Sequence, residues 1–200
     1  MMSSIFDDLY RIGDPVGNRP FRGSVDCSTD DATAFSRAER LPITPVIVSW
    51  GMGTGVPSDV IWTLLGLPLI VSSKVIDLLR DAQFTGWDTY DARVTAKDCR
   101  AVSGFYGLAL TGRCGSPDLS RSELVLREYP CGWFPVLRGC FFDESSWDGS
   151  DLFMEQPDER GNQSLNRYVT DRVLKAFRVP RISNLWIRKL SDASRESSGP

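Results

Sequence analysis

"VSSKVIDLLR", Val71 to Arg80, returns ninety-eight positions later as "VTDRVLKAFR", Val169 to Arg178. Aligned without a gap, Ser72 meets Thr170, Lys74 meets Arg172, Val75 meets Val173, Ile76 meets Leu174 and Leu79 meets Phe177. Ser72 and Thr170 carry the short oxygen-bearing side chains that suit a helix N-cap, and the apolar positions recur three or four apart, as one helix face requires. The register persists beyond the phrase, with Thr85, Gly86 and Trp87 falling on Ser183, Asn184 and Leu185. Gly86 and Asn184 tolerate a left-handed backbone, so each helix is predicted to stop at a turn, "QFTG" or "VPRISN". "WDTYDARV" and "LWIRKL" then alternate large and polar side chains, the pattern of a strand. The chain is thus expected to contain two similar helix-turn-strand units, over 71–94 and 169–190.

Outward from these units, an α+β domain is predicted over 45–190, with a mixed, mainly antiparallel sheet and a few short helices. "PVIVSW" (Pro45 to Trp50) and "DLFM" (Asp151 to Met154) read as strands. "AVSGFYGLALTG" and "FPVLRGCFF" read as antiparallel neighbours in a sheet, whereas "SELVLREY" fits helix or strand equally. The first 44 residues are broken by Gly13, Pro15, Gly17, Pro20 and Gly23 and predict an irregular N-terminal arm holding one helix, Asp30 to Arg40, begun by its aspartate. From Ser191 apolar periodicity is lost, so 191–200 is expected to be a disordered tail.

Composition narrows the function classes. A chain of 200 residues with 42% hydrophobic and 24% charged content suits one compact domain. Met1 to Tyr10 has Asp7 and Asp8 and no basic residue, unlike a secretory signal. The longest apolar stretch, Val60 to Val71, contains Gly66 and Pro68 and falls short of the roughly 20 residues that span a bilayer. A cytoplasmic protein is the expectation.

Five cysteines, an odd number with none in a C-x-x-C pair, read as free and mostly buried thiols. Glycine follows Cys114 and Cys131 as in metal-binding knuckles, but the chain has no histidine and its cysteine spacing lacks the paired ligands of a structural zinc site. No metal and no cofactor are therefore expected. Gly51, Gly53 and Gly55 follow a predicted strand, yet Val56 and Pro57 come next and no lysine appears before Lys74, so neither phosphate-binding glycine motif is met. Without histidine, the usual general base at neutral pH and the serine or cysteine triads cannot be assembled.

Charge is segregated. Asp143 to Glu159 contains Asp143, Glu144, Asp148, Asp151, Glu155, Asp158 and Glu159 and no basic residue, while Leu165 to Leu190 is basic apart from Asp171. The two segments either screen each other or leave one free to steer a partner of opposite sign. Calcium is not the reading of "DESSWDGSD", because its glycine is seventh from Asp143 where the EF-hand loop requires sixth, and Met154 stands where the twelfth-position glutamate belongs. Trp147 amid carboxylates and serines is a candidate interface anchor. Nucleic-acid binding through Arg167 to Lys189 would need a recognition motif, which the segment lacks.

Four fragments, in order, resemble the immunity proteins of bacterial polymorphic toxin systems, specifically the group typified by a myxobacterial immunity protein. They are "PSDVIWTLLGLPLIVSSKVIDLLRDAQFTGWDTYDARV", "FYGLALTGRCGSPDLSRS", "GSDLFM" and "YVTDRVLKAFRVPRISNLWIRKL", together covering roughly Pro57 to Leu190. The resemblance implies a cytoplasmic partner that neutralises a cognate toxin by direct contact and is not an enzyme, so it carries over no catalytic residue. Within that expectation, the charge concentration makes Asp143, Glu144, Trp147, Asp148 and Asp151 the candidate toxin-binding residues. The alternative is a cytoplasmic enzyme or small-ligand-binding protein that uses carboxylates on an unknown substrate.

Overall fold

The computed structural model describes residues 4–15, 20–63, 66–129, 132–157 and 165–196. Its elements in chain order are β1 (Leu9–Gly13), β2 (Arg22–Val25), α1 (Thr29–Ser36), β3 (Val46–Met52), β4 (Val60–Thr63), β5 (Leu69–Ser72), α2 (Ser73–Asp81), β6 (Trp87–Thr95), β7 (Ala101–Val102) and β8 (Phe105–Leu110). They continue with β9 (Gly112–Cys114), β10 (Glu123–Tyr129), β11 (Gly132–Arg138), β12 (Leu152–Glu155), β13 (Arg167–Thr170), α3 (Asp171–Arg178), β14 (Trp186–Lys189) and β15 (Ser194–Glu196). The fold is α+β, with three short helices and mixed sheets in which antiparallel pairs predominate.

Strands β3, β2, β4, β5, β8 and β6 pair in that order, and a parallel β3–β6 ladder closes them into a six-stranded barrel. Its interior is filled by Phe21, Val48, Ile61, Ile70, Tyr90, Val94 and Ala109. The Tyr90 ring lies over its cross-strand partner Gly107, where a Cβ would collide with it. A second, open sheet has the order β14-β1-β13-β12-β9, and a third has the order β10-β11-β15. Helices α2 and α3 pack between barrel and open sheet, burying Val75, Leu79, Val173 and Phe177 with Trp62, Val71, Leu152 and Val169.

The two quoted stretches occupy corresponding places. β5 leads into α2 and β13 into α3. Val60 faces Val71 and Ile61 faces Ile70, as Leu152 faces Val169 and Phe153 faces Tyr168. Leu69 to Ser72 run antiparallel to Leu108 to Phe105 in the barrel, and Arg167 to Thr170 run antiparallel to Ile12 to Leu9 in the open sheet. Both turns take the left-handed backbone at matching positions, Gln83 and Gly86 in one and Arg181 and Asn184 in the other. Phe84 N–H donates to Leu79 O as Ile182 N–H donates to Phe177 O, each at 3.0 Å.

An aspartate secures each turn. Asp59 Oδ2 accepts from Ser183 N–H at 2.9 Å and Ser183 Oγ at 2.8 Å, while Asp151 Oδ2 accepts from Thr85 N–H at 3.1 Å and Thr85 Oγ1 at 3.3 Å. Ser72 and Thr170 stand at the N-cap positions but do not cap through their hydroxyls, which donate instead to Asp59 at 3.2 Å and Asp151 at 3.0 Å. Lys74 and Arg172, each at 3.3 Å, complete the two clusters. Each carboxylate thus ties the start of one helix to the turn after the other, a cross-linked clasp around the shared core.

Several expectations differ from the structure. The first 44 residues supply β1 to the open sheet, β2 to the barrel wall and α1 against it, because Leu9, Ile12 and Phe21 are buried apolar anchors among the breakers. Helix α1 is capped by Ser28, whose Oγ accepts from Asp31 N–H at 3.1 Å, and Asp30 sits in its first turn. β8 and β11 lie in different sheets rather than side by side. "SELVLREY" forms the strand β10. Of the expected tail, Leu190–Asp192 forms a 3₁₀ turn and β15 pairs with β11, while 197–200 lie outside the described residues.

Candidate protein interface

The β10–β11 hairpin presents the molecule's concentration of exposed apolar side chains. Its register pairs Leu124 with Leu137, Leu126 with Pro135 and Glu128 with Trp133. Residues directly opposite share a face, so these six line one side of the ribbon. On it Leu124 is 66% exposed, Leu126 67% and Trp133 62%. The other side turns Val136, 2% exposed, towards the body. A strand apolar on both sides has one side with no core to enter, and such a surface marks an interaction site or an aggregation hazard. β10 pairs only with β11, so its outer edge borders no strand among the described residues.

The base of the hairpin is fixed firmly. Arg121 places its guanidinium over the rings of Phe6 at 4.9 Å and Phe141 at 5.1 Å. Ser122 Oγ donates to Gly139 O at 3.0 Å, and Gly139 N–H to Ala193 O at 2.8 Å. Phe6 meets Phe141 and Phe142 edge to face, the favoured geometry for ring pairs. A rigid base lowers the entropy lost when the ribbon engages a partner.

Beside this base runs the acidic loop singled out from the sequence. Asp143 caps a 3₁₀ turn over Glu144–Ser146, and hydrogen bonds from Ser145 Oγ and N–H hold its carboxyl below the ordinary carboxylate value. Glu144 is exposed and lies 4.0 Å from Arg121, which links the loop to the hairpin. Asp148 is exposed but turned inward in part, accepting from Arg113 N–H at 2.8 Å. Trp147 is half-buried, with its ring 5.3 Å from Phe153, so it packs into the aromatic layer under the loop. Asp151 is 5% exposed and committed to its clasp. The structure therefore keeps Asp143 and Glu144 at the surface by the hairpin base, leaves Asp148 at the surface against β9, and withdraws Asp151 into the core. Asp158 and Glu159 of the same acidic run lie outside the described residues.

Sequence reasoning missed the hairpin as a site because "SELVLREY" was open between helix and strand, and exposure cannot be read before the partner strand is known. The signal for the role of Asp151 was present: Ser150-Asp151-Leu152 repeats Ser58-Asp59-Val60, both just ahead of the matched strands.

Among the described residues no three histidine, cysteine or acidic side chains group as a metal site, and no helix is long and apolar enough to cross a membrane. Cys27 is half-buried and Cys99 exposed, both as free thiols, Cys114 and Cys140 are buried, and Cys131 lies outside the described residues. No family model and no curated protein matches the chain.

Proposed function

We propose that this protein is an immunity-type inhibitor that acts in the cytoplasm by binding a toxin protein directly, without chemistry of its own. The observation that carries this reading is the hairpin face. Leu124, Leu126 and Trp133, each more than three-fifths exposed, form an apolar centre, and Asp143 and Glu144, beside Arg121 at the hairpin base, form a charged margin. Protein interfaces are built in that order, with large apolar anchors desolvated at the centre and charge at the rim setting encounter rate and partner choice. The margin selects a partner whose contacting surface is basic. Trp133 takes the anchoring role that the sequence assigned to Trp147.

Matched registers, turns and carboxylate clasps support a second part of the reading, that the two helix-turn-strand segments are copies of one ancestral unit. The copies build a rigid platform, and the hairpin inserted between them does the binding.

The test is co-expression with the product of the adjacent gene, which this reading expects to be the toxin. The wild-type chain should rescue growth and co-purify with the toxin, and Trp133→Ala should weaken binding by about 2 kcal/mol, near 30-fold. Failure of the wild-type chain to rescue or bind would remove the proposal.

A further inference from the structure

Arg167 stands where the fold calls for an apolar residue. It occupies the position in β13 that Leu69 occupies in β5: Leu69 faces Leu108 across its ladder, and Arg167 faces Ile12 across the corresponding one. Leu69 is 2% exposed and belongs to the central core, and Arg167 is also nearly withdrawn from solvent, at 5%. A guanidinium so placed is expensive to desolvate, and buried charges are ordinarily matched by a carboxylate. Arg167 has none among the described residues. Its Nη2 donates to Gly66 O at 2.8 Å, and its guanidinium lies over the Trp62 ring at 5.3 Å. Burial pushes its pKa down to about 10, Tyr90 partly offsets this and neighbouring Arg11 adds to it. At that value it is still cationic at neutral pH.

The side chain faces a cavity of about 240 Å³ between the N-terminal strand and the barrel. Arg11, Trp62, Gly66, Asn166 and Arg167 contribute to its wall. Asp14, the carboxylate at its edge, is engaged by Arg22 at 2.7 Å. Arg11 stands opposite Tyr168 on the other face of the sheet, with its guanidinium 5.9 Å from the Trp186 ring, so Arg167 is the cation that faces this space, and the acidic residue at the edge among the described residues is already matched. The planar fork of arginine suits the paired oxygens of carboxylate and phosphate. A volume below the roughly 300 Å³ of ordinary small-molecule pockets limits the occupant to a compact species.

We propose that this cavity binds a small anion, a carboxylate or a phosphate, held by Arg167. The site is separate from the hairpin, so the proposal stands whether or not the partner reading holds.

Thermal unfolding and titration calorimetry with inorganic phosphate and with succinate, each against sodium chloride of equal ionic strength, test it. The wild-type chain should melt higher in one or both anions than in the chloride control; the anion that acts identifies the chemistry. Arg167→Leu copies the side chain of Leu69 and should melt no lower than wild type without anion, and it should lose the anion response. Arg167→Lys keeps the charge but not the fork, and should bind at least several-fold more weakly; it serves if the leucine variant fails to fold. An unchanged melting temperature of the wild-type chain in both anions, or an undiminished response in the variants, overturns the proposal.

Discussion

The barrel-side and open-sheet units share strand registers and turn conformations yet live in different surroundings. Around the first, β2 and β3 close the barrel; around the second, β9 extends an open sheet and the wall stays parted beside Arg167. What is common to both is therefore what the helix and its turn themselves require: an apolar face, a left-handed stop and an aspartate to receive the exposed turn donors. What differs, Leu69 against Arg167 and Gly86 against Asn184, marks places where the environment and not the unit decides.

The largest expected effect probes the common part. Leu79 and Phe177 hold the same position and both are buried. Leu79→Ala should cost about 2–5 kcal/mol and Phe177→Ala about 3–5 kcal/mol in urea unfolding. A cost under 1 kcal/mol at either position would break the equivalence of the two cores.

Next come the turns. A side chain on Gly86 would run into the carbonyl of Leu152, whereas Asn184 fits its own turn and donates from Nδ2 to Val60 O at 2.8 Å. Gly86→Asn should therefore destabilise by about 3 kcal/mol, and Asn184→Gly by only about 1 kcal/mol. Equal losses would show that the two turns are interchangeable and that this asymmetry has no energetic weight.

Smaller effects separate the clasps. The Asp151 side chain is 7% exposed and that of Asp59 17%. Asp151→Asn should cost about 2 kcal/mol and Asp59→Asn about 1 kcal/mol, since the more deeply buried oxygen loses more when its partners are mismatched. Burial opposes ionisation of Asp59, but hydrogen bonds from Ser183 N–H and Oγ and from Lys74 outweigh it and hold the carboxyl below its ordinary value. Its contribution is thus complete above the unfolded aspartate pKa, near 3.9, and disappears as pH falls through the lower folded value. The stability gap between wild type and Asp59→Asn, followed by denaturant unfolding from pH 7 downward, should close in that acid range and hold steady at neutrality.

Much of this plan is legible in the sequence and some is not, for physical reasons. The helices and their turns are local: Val75, Ile76 and Leu79 fix a face, Gly86 and Asn184 fix a stop, and both are visible within a dozen residues. The placement of β1 is not local, because Leu9 to Ile12 gain their partners from Thr170 to Arg167 at the other end of the chain. Asp151 looked like a surface acid because its run is acidic throughout; only its pairing with Thr85 and Thr170 takes it inside. The hairpin escaped for the opposite reason, since Leu124 and Leu126 resemble core residues until the fold shows that nothing among the described residues covers them.

The smallest expected change in stability carries the greatest weight for function. Leu126→Asp on the open face should shift unfolding by no more than about 0.5 kcal/mol. Titration calorimetry of the proposed partner, the purified product of the adjacent gene, against wild type and Leu126→Asp is the most direct test of the account. A tight wild-type complex that the substitution weakens at least about 30-fold, with the melting temperature unchanged, is the predicted result. An aspartate variant that binds as tightly as wild type, or a wild-type chain that does not bind at all, would contradict it.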